Sequence, residues 1–365
     1  MNYEIIDQGY IVRCQPGTAT AVAAGARCAV TLQGELICTF IAQAALGGND
    51  FKPMISRSSD GGKSWSAPSA IWPELQERFS IFTSISRAPS GELMLFGSRT
   101  PIDSPGESFW SEATQGLKQN ALFWTYSNDG ALTWAPLAGI PMPNPGSAEA
   151  PGPMCATQRG RLVCCYAPYN TFDPGLSVKR NQVVCLSSGD RGKSWSNAAM
   201  LSFPFADSSG AEAWVVELAD RHLLGTSWHI RERESPPNAY SISHDGGMTW
   251  SGTASTGIFG QSTALAPLPD GRVLFAYNQR KQGDIGVWLA VANPTETDFG
   301  IECNQRVWAA EIAAQKAGAT GHESWTDFAF GEPSATLLPD GTILVALWAA
   351  QPSGNGIPFV KLRLI

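Results

Sequence analysis

Two glutamates stand at the head of apolar runs that read as strands. Glu212 opens Glu212-Ala-Trp-Val-Val-Glu217-Leu, and Glu332 opens Glu332-Pro-Ser-Ala-Thr-Leu-Leu338. A carboxylate at the start of a buried strand loses its hydration unless it faces a polar cavity, so two of them at equivalent positions imply a shared pocket. Paired carboxyl groups are the general means of cleaving a glycosidic bond. One protonates the leaving oxygen while the other attacks or activates water, at separations of roughly 5–10 Å. The rest of the chain must then bring these two strand starts together.

The elements that do so repeat. Two extended runs around a turn recur six times, centred on Gly34, Gly91, Gly160, Arg221 (in place of Gly), Gly271 and Gly341. Each has the signature of a β-hairpin, with about 60 residues per copy. Aligned on the turn, the residues nine positions upstream are Gly25, Phe82, Pro151, Glu212, Ser262 and Glu332. This offset marks the expected start of each innermost strand, at the mouth of a central funnel. Interleaved with the hairpins are four related segments: Ser58-Ser-Asp60-Gly-Gly-Lys-Ser-Trp65, Ser127-Asn-Asp129-Gly-Ala-Leu-Thr-Trp134, Ser188-Gly-Asp190-Arg-Gly-Lys-Ser-Trp195 and Ser243-His-Asp245-Gly-Gly-Met-Thr-Trp250. Asp before Gly-rich positions is tight-turn chemistry, and the following Trp can pin the turn to a sheet. Asp60, Asp129, Asp190 and Asp245 are therefore expected to be structural. A unit of this length, repeated six times, predicts an all-β, six-bladed β-propeller formed as a single domain over residues 1–365.

Composition agrees. Thirteen Trp, 37 Gly and 25 Pro suit many short strands joined by turns. The stretches 109–119 and 307–316 are expected to be inserted loops or short helices. The strand 3–13 is expected to pair beside 358–365 and close the last blade, removing free edges. Cys28, Cys38, Cys164, Cys165 and Cys185 sit in apolar strand patterns as buried free thiols, which points to a reducing, cytoplasmic location. Eight Cys and four His follow no zinc spacing, and no motif for a metal or other cofactor is present. A formal charge of −7 gives no support for a nucleic-acid or anionic-membrane partner. No apolar run is of membrane-spanning length, and the first residues lack the pattern of a signal peptide.

The four Asp segments resemble the Asp-box, or BNR, repeats of the sialidase (neuraminidase) superfamily, and the resemblance extends over nearly the whole chain. It implies a six-bladed propeller and a carbohydrate or glycoconjugate substrate. Glu212 to Leu218 is similar to the stretch that carries the Glu of the family's Tyr-Glu nucleophile pair. The family's Tyr position in the last blade holds Glu332 here, which is a departure. The resemblance makes Asp50, in Gly47-Gly-Asn-Asp50-Phe, the nearest analogue of the family's acid. It makes Arg13 or Arg27, Arg231 or Arg233, and Arg280 the stand-ins for its carboxylate-gripping arginines, although the N-terminal Arg-Ile-Pro motif is not intact in either Arg13-Cys-Gln-Pro16 or Arg27-Cys-Ala.

Loops bearing aromatic and polar residues supply further substrate-binding candidates: Trp228 and His229 beside the Arg231–Arg233 pair, Tyr169 after the third hairpin, and Asp327 before the last. The reading that follows is a glycoside hydrolase using Glu212 and Glu332, with Asp50 as helper, on a non-sialic sugar, with acidic and deoxy sugars among the candidates. Two alternatives stay open: a propeller that binds glycan or protein without catalysis, and a divergent exo-sialidase. Asp-boxes are specific for the fold and much less so for activity.

Overall fold

The computed structural model describes residues 1–231, 234–316 and 322–365. Six antiparallel sheets follow one another in chain order as the blades of a propeller. From the axis outward, blade 1 is Val22–Val30, Leu36–Gln43, Lys52–Ser58 and Ser69–Ala70. Blades 2, 4 and 5 repeat this plan from the inner strands Phe79–Arg87, Ser208–Glu217 and Gln261–Pro267. In blade 3 the inner position is divided between Ser147–Glu149 and Cys155–Ala156. Blade 6 runs Phe330–Leu337, Ile343–Gln351, Gly354–Leu364 and then the N-terminal strand Tyr3–Arg13.

The middle strands are sealed on both faces by neighbouring blades, and their sequences show it. Leu36–Gln43, Leu162–Tyr169 and Gln182–Ser188 are buried at every residue. They read as near-continuous runs of Leu, Ile, Val, Cys and aromatic residues instead of alternating. Tyr3–Arg13, at the rim, is mostly exposed and mixes charge with apolar residues. It lies antiparallel to Gly354–Leu364, with Tyr3 opposite Leu364 and Arg13 opposite Gly356, so the two ends of the chain close the ring as the sequence predicts.

The Asp-boxes form the turns after the third strands of blades 1 to 4. In the first, Ser58 Oγ donates to Asp60 Oδ1 at 2.8 Å and accepts the Gly62 N–H at 2.9 Å. Asp60 in turn accepts the Ser64 N–H at 2.9 Å and the Ser64 hydroxyl at 2.6 Å. The Trp65 indole N–H closes on the Gly62 carbonyl at 3.2 Å. The same exchange recurs at Asp129, Asp190 and Asp245. Gly62 has φ of 90°, and the equivalent Ala131 is forced to 64°. The boxes also join blades: Arg57 in blade 1 donates to the Gly130 and Ala131 carbonyls of the next box at 2.7 and 2.6 Å.

Neither stretch read as a loop or short helix is helical. Within 109–119 the chain makes a small hairpin, Trp110–Ser111 against Gly116–Leu117. The Leu117 N–H is bonded to the Asn170 carbonyl at 2.9 Å, and a Cβ on Gly116 would fall 2.5 Å from the Thr171 carbonyl oxygen. Close approach to blade 3 therefore overrides local helical spacing. Val307 and Trp308 belong to the outer strand Ile301–Ala309 of blade 5, held in its ladder by Gly286–Ala292. All eight cysteines are free thiols.

The box carboxylates are held below their ordinary range by hydrogen bonds from Ser or Thr, Asp190 down to about 2. Groups of this kind contribute stability that is present above about pH 4 and lost as pH falls toward about 2. Asp190→Asn is expected to lower Tm at pH 7 and to differ less from the parent protein at pH 3, which thermal melts followed by circular dichroism will show.

Candidate functional site

Four of the six residues that align nine positions before the hairpin turn share one backbone feature. Pairing with the second strand skips between Ala24 and Arg27, Ala211 and Trp214, Gln261 and Ala264, and Gly331 and Ser334. Within those bulges Gly25, Glu212, Ser262 and Glu332 have φ of 65°, 50°, 63° and 45°. A bulge with a left-handed residue re-aims a side chain off the sheet, and a non-glycine residue there carries strain of about 1–3 kcal/mol. Blade 2 pairs without a break at Phe82, and blade 3 is interrupted at Pro151.

Glu212 and Glu332 both line one cavity of about 230 Å³ at the centre of the propeller. A third carboxyl joins them. Glu149, the last residue of Ser147–Glu149, lines the same cavity, and its Oε2 accepts the Glu212 N–H at 2.8 Å. The sequence reading missed Glu149 because it lies two residues before the aligned Pro151, where the inner strand of blade 3 breaks. Its signal was an isolated acidic residue in Ala148-Glu-Ala-Pro-Gly-Pro153, at nearly the same level of the funnel.

Two arginines stand against these carboxyls. Arg27 is buried, and its guanidinium donates to the main-chain carbonyls of Pro151 at 3.3 Å, Ala26 at 2.9 Å and Glu332 at 3.2 Å. Arg280 lines the cavity and donates to the Phe330 carbonyl and, at 2.9 Å, to Gln261 Oε1. Its plane lies 4.0 Å from the centre of the Phe328 ring. Burial pushes the Arg280 guanidinium down to about 10, with Glu212 and Glu332 opposing, so it keeps its charge at neutral pH.

With three carboxyls and two guanidinium groups, the centre is one negative charge in excess when all are ionised, and protons are retained. Burial, then the neighbouring Glu212, lifts Glu149 well above the ordinary carboxyl range. Burial, then Glu332, lifts Glu212 to about 7. Burial also raises Glu332, opposed chiefly by Arg27. Neighbouring carboxyls pushed to different degrees can supply one protonated and one ionised group at the same pH, the requirement for acid–base work on a leaving group.

The wall around the carboxyls is aromatic. The hairpin inserted in blade 2 leans over the mouth, where Phe109 meets Phe51 and Trp325 at 4.9 and 5.0 Å between ring centres. Trp110 reaches Trp325 at 6.2 Å and Tyr169 at 6.4 Å. Phe82, Trp228 and Trp348 continue the lining. At the rim, Lys118 is tied to Glu107 at 2.6 Å and Asp103 at 2.7 Å.

Of the residues singled out from sequence, Glu212, Glu332, Arg280, Trp228 and Tyr169 line the cavity, and Arg27 lies directly behind it. The others do not line it. Asp50 turns back to accept the Ala44 N–H at 3.1 Å, leaving its neighbour Phe51 at the wall. His229, next to Trp228 on a strand, points to the opposite face, where it stacks on Phe203 at 4.2 Å and meets Ser208 Oγ at 3.1 Å. Arg231 is paired with Asp207 and Glu234 and lies over the Phe205 ring. Asp327 is paired with Lys316 at 3.1 Å. Arg233 lies outside the described residues. No described group of three or more His, Cys, Asp or Glu is placed to hold a metal, and no described helix is long and apolar enough to cross a membrane.

Comparison with known proteins agrees with this frame. Residues 34–299 match the family model of the BNR repeat-like domain, and the chain belongs to that family. It is a BNR-repeat, six-bladed propeller with a sialidase-like fold. Among solved structures, a protein of unknown function from Dyadobacter fermentans is similar at a TM-score of 0.75 and 19% identity, over 100% of this chain and 99% of that one. A sialidase from Streptococcus pneumoniae aligns at a TM-score of 0.65 and 17% identity, over 98% of this chain and 70% of that one. An α-L-arabinofuranosidase from Fusarium graminearum aligns at 0.63 and 14%, over 99% and 98%. No curated protein matches the chain.

The raised carboxyls have a stability consequence. Between about pH 4.5 and 7 the folded protein holds a proton on Glu212 that the unfolded chain has lost, so stability falls as pH rises through that window. Glu212→Gln is expected to flatten this slope and to raise stability at pH 8 by on the order of 3 kcal/mol, measured by urea unfolding at several pH values.

Proposed function

We propose that this propeller is a glycoside hydrolase that works through carboxyl groups in its central funnel. The observation that carries the reading is the convergence of Glu149, Glu212 and Glu332, from three different blades, on one aromatic-walled cavity. Glu212 and Glu332 are the catalytic pair. Glu332, which Arg27 and Arg280 both favour as the anion, is the nucleophile or base. Glu212, holding its proton up to about pH 7, is the acid. Glu149 positions Glu212 by accepting its main-chain N–H, and is itself kept protonated by burial and by the charge of Glu212.

A sugar ring fits the wall: aromatic faces receive its C–H surface while the carboxyls accept from its hydroxyls. Similar folds include a sialidase and an α-L-arabinofuranosidase, so the frame itself leaves the sugar open. The same aromatic wall would serve a propeller that binds glycan without cleaving it, and this is the second reading. Eight free thiols support a reducing compartment, and we place the protein in the cytoplasm on that ground.

The test is hydrolysis of a panel of nitrophenyl and methylumbelliferyl glycosides, including sialosides and uronides. Activity on one sugar is expected, reduced at least about 1000-fold by Glu212→Gln and by Glu332→Gln, with the alkaline limb of the pH profile near 7. Retained activity in either variant would remove that residue from the pair. Silence across the panel together with binding on a glycan array would establish the second reading.

A further inference from the structure

A cavity that recognises an acidic sugar must offer the sugar's carboxylate a cation with free donors. This funnel has positive charge, but that charge is directed into the protein. Arg27 is 2% exposed, and its Nε and Nη1 donate to three main-chain carbonyls. Arg280 is 4% exposed. Its Nε and Nη2 donate to the Phe330 carbonyl, its Nη1 donates to Gln261, and the Phe328 and Phe330 rings lie beside its plane. The third cation of the wall, Lys118, is held between Glu107 and Asp103, which together outweigh its charge. Facing the cavity instead are the three glutamates; Glu332, the one opposed least to ionising, accepts hydrogen bonds and repels a second anion, and the protonated Glu149 and Glu212 still offer carbonyl oxygens as acceptors.

The balance of terms favours one class of ligand. A carboxylate brought into the funnel would lose its hydration, find each arginine already bonded to the protein, and lie beside Glu332, which already draws on the charge of both arginines. A hydroxyl meets the reverse situation: it donates to a carboxylate that has kept an accepting oxygen, while the ring behind it covers Trp110, Trp228 or Trp348. From this arrangement we propose that the funnel binds an uncharged terminal sugar, a neutral pentose or hexose, and rejects uronic and sialic acids. The proposal rests on the reading of the funnel as a carbohydrate site. It replaces the arginine grip implied by the family resemblance with recognition by acceptors and aromatic faces.

The test uses matched ligands that differ only in the carboxylate. The full-length Glu212→Gln protein, with Glu332→Gln as a second inactive form, is titrated calorimetrically with methyl xylosides, glucosides, galactosides and arabinofuranosides. The corresponding glucuronides and galacturonides and the methyl glycoside of N-acetylneuraminic acid are titrated in parallel. The parent protein is assayed for hydrolysis of the nitrophenyl counterparts. A neutral sugar is expected to bind at least about 100-fold more tightly than its uronate, with turnover confined to neutral glycosides. Equal or tighter binding of a uronate or sialoside overturns the proposal, as does the absence of binding to every neutral sugar. The two readings separate cleanly. Tight neutral binding without turnover keeps this inference and removes the hydrolase, whereas turnover of an acidic glycoside keeps the hydrolase and removes this inference.

Discussion

Three carboxyl groups placed together away from bulk water repel one another and lose hydration, and much of the centre of this propeller can be understood as the means of tolerating that. Arg27 and Arg280 supply opposing charge, and each is anchored by main-chain carbonyls or Gln261 instead of being neutralised by direct contact with a glutamate. Because Arg27 stands behind the wall and Arg280 is bonded to the Phe330 carbonyl and Gln261, the glutamates stay open to the cavity. Their protons are then retained to different degrees, Glu212 up to about pH 7. A group in that condition destabilises the fold near neutrality, because ionising it inside the protein costs more than ionising it in the unfolded chain.

The frame supports this through backbone geometry. Four inner strands bulge at the same level, and at three of them the left-handed position is occupied by a residue other than glycine: Glu212, Ser262 and Glu332. Ser262 donates to none of the strain relief that glycine would bring, yet its hydroxyl accepts from Asn278 at 2.8 Å and its side chain also bonds Glu212. Thr263, next along, donates to the Glu212 carbonyl at 2.7 Å. The strained positions are thus tied to one another across blades 4 and 5. Far from the axis, the Asp-boxes hold the opposite kind of carboxylate, exposed and satisfied by hydrogen bonds from its own turn. Asp60 and Glu212 carry the same functional group with opposite shifts because one is encircled by donors and the other by apolar walls and further carboxyls.

Much of the architecture was legible in the sequence for local reasons. The boxes are self-contained turns whose hydrogen bonds run within seven residues, so their residue types recur wherever the turn does. The hairpin turns are equally local, and aligning them located the bulges, including Glu212 and Glu332. The loops were less legible. The segment 109–119 becomes a hairpin only because blade 3 presents the Asn170 carbonyl to Leu117. Arg231, His229 and Asp327 have residue types suited to a sugar site, but their partners are Asp207, Phe203 and Lys316, all chosen by the packing of other segments.

By itself, then, the sequence determined the number of blades, the closure of the ring by 3–13, and the equivalence of two glutamates on inner strands, which the structure places at bulges inside Ser208–Glu217 and Phe330–Leu337 instead of at the expected strand starts. Each of these depends on spacing and on turns that fold with their own neighbours. The tertiary structure alone decided that Glu149 joins the other two, and that Arg27 and Arg280 are committed to carbonyls. It also decided which aromatic residues wall the cavity. Those outcomes depend on contacts between blades, where residues distant in the chain meet, and the direction of a guanidinium or a carboxyl is set only when the ring has closed around it.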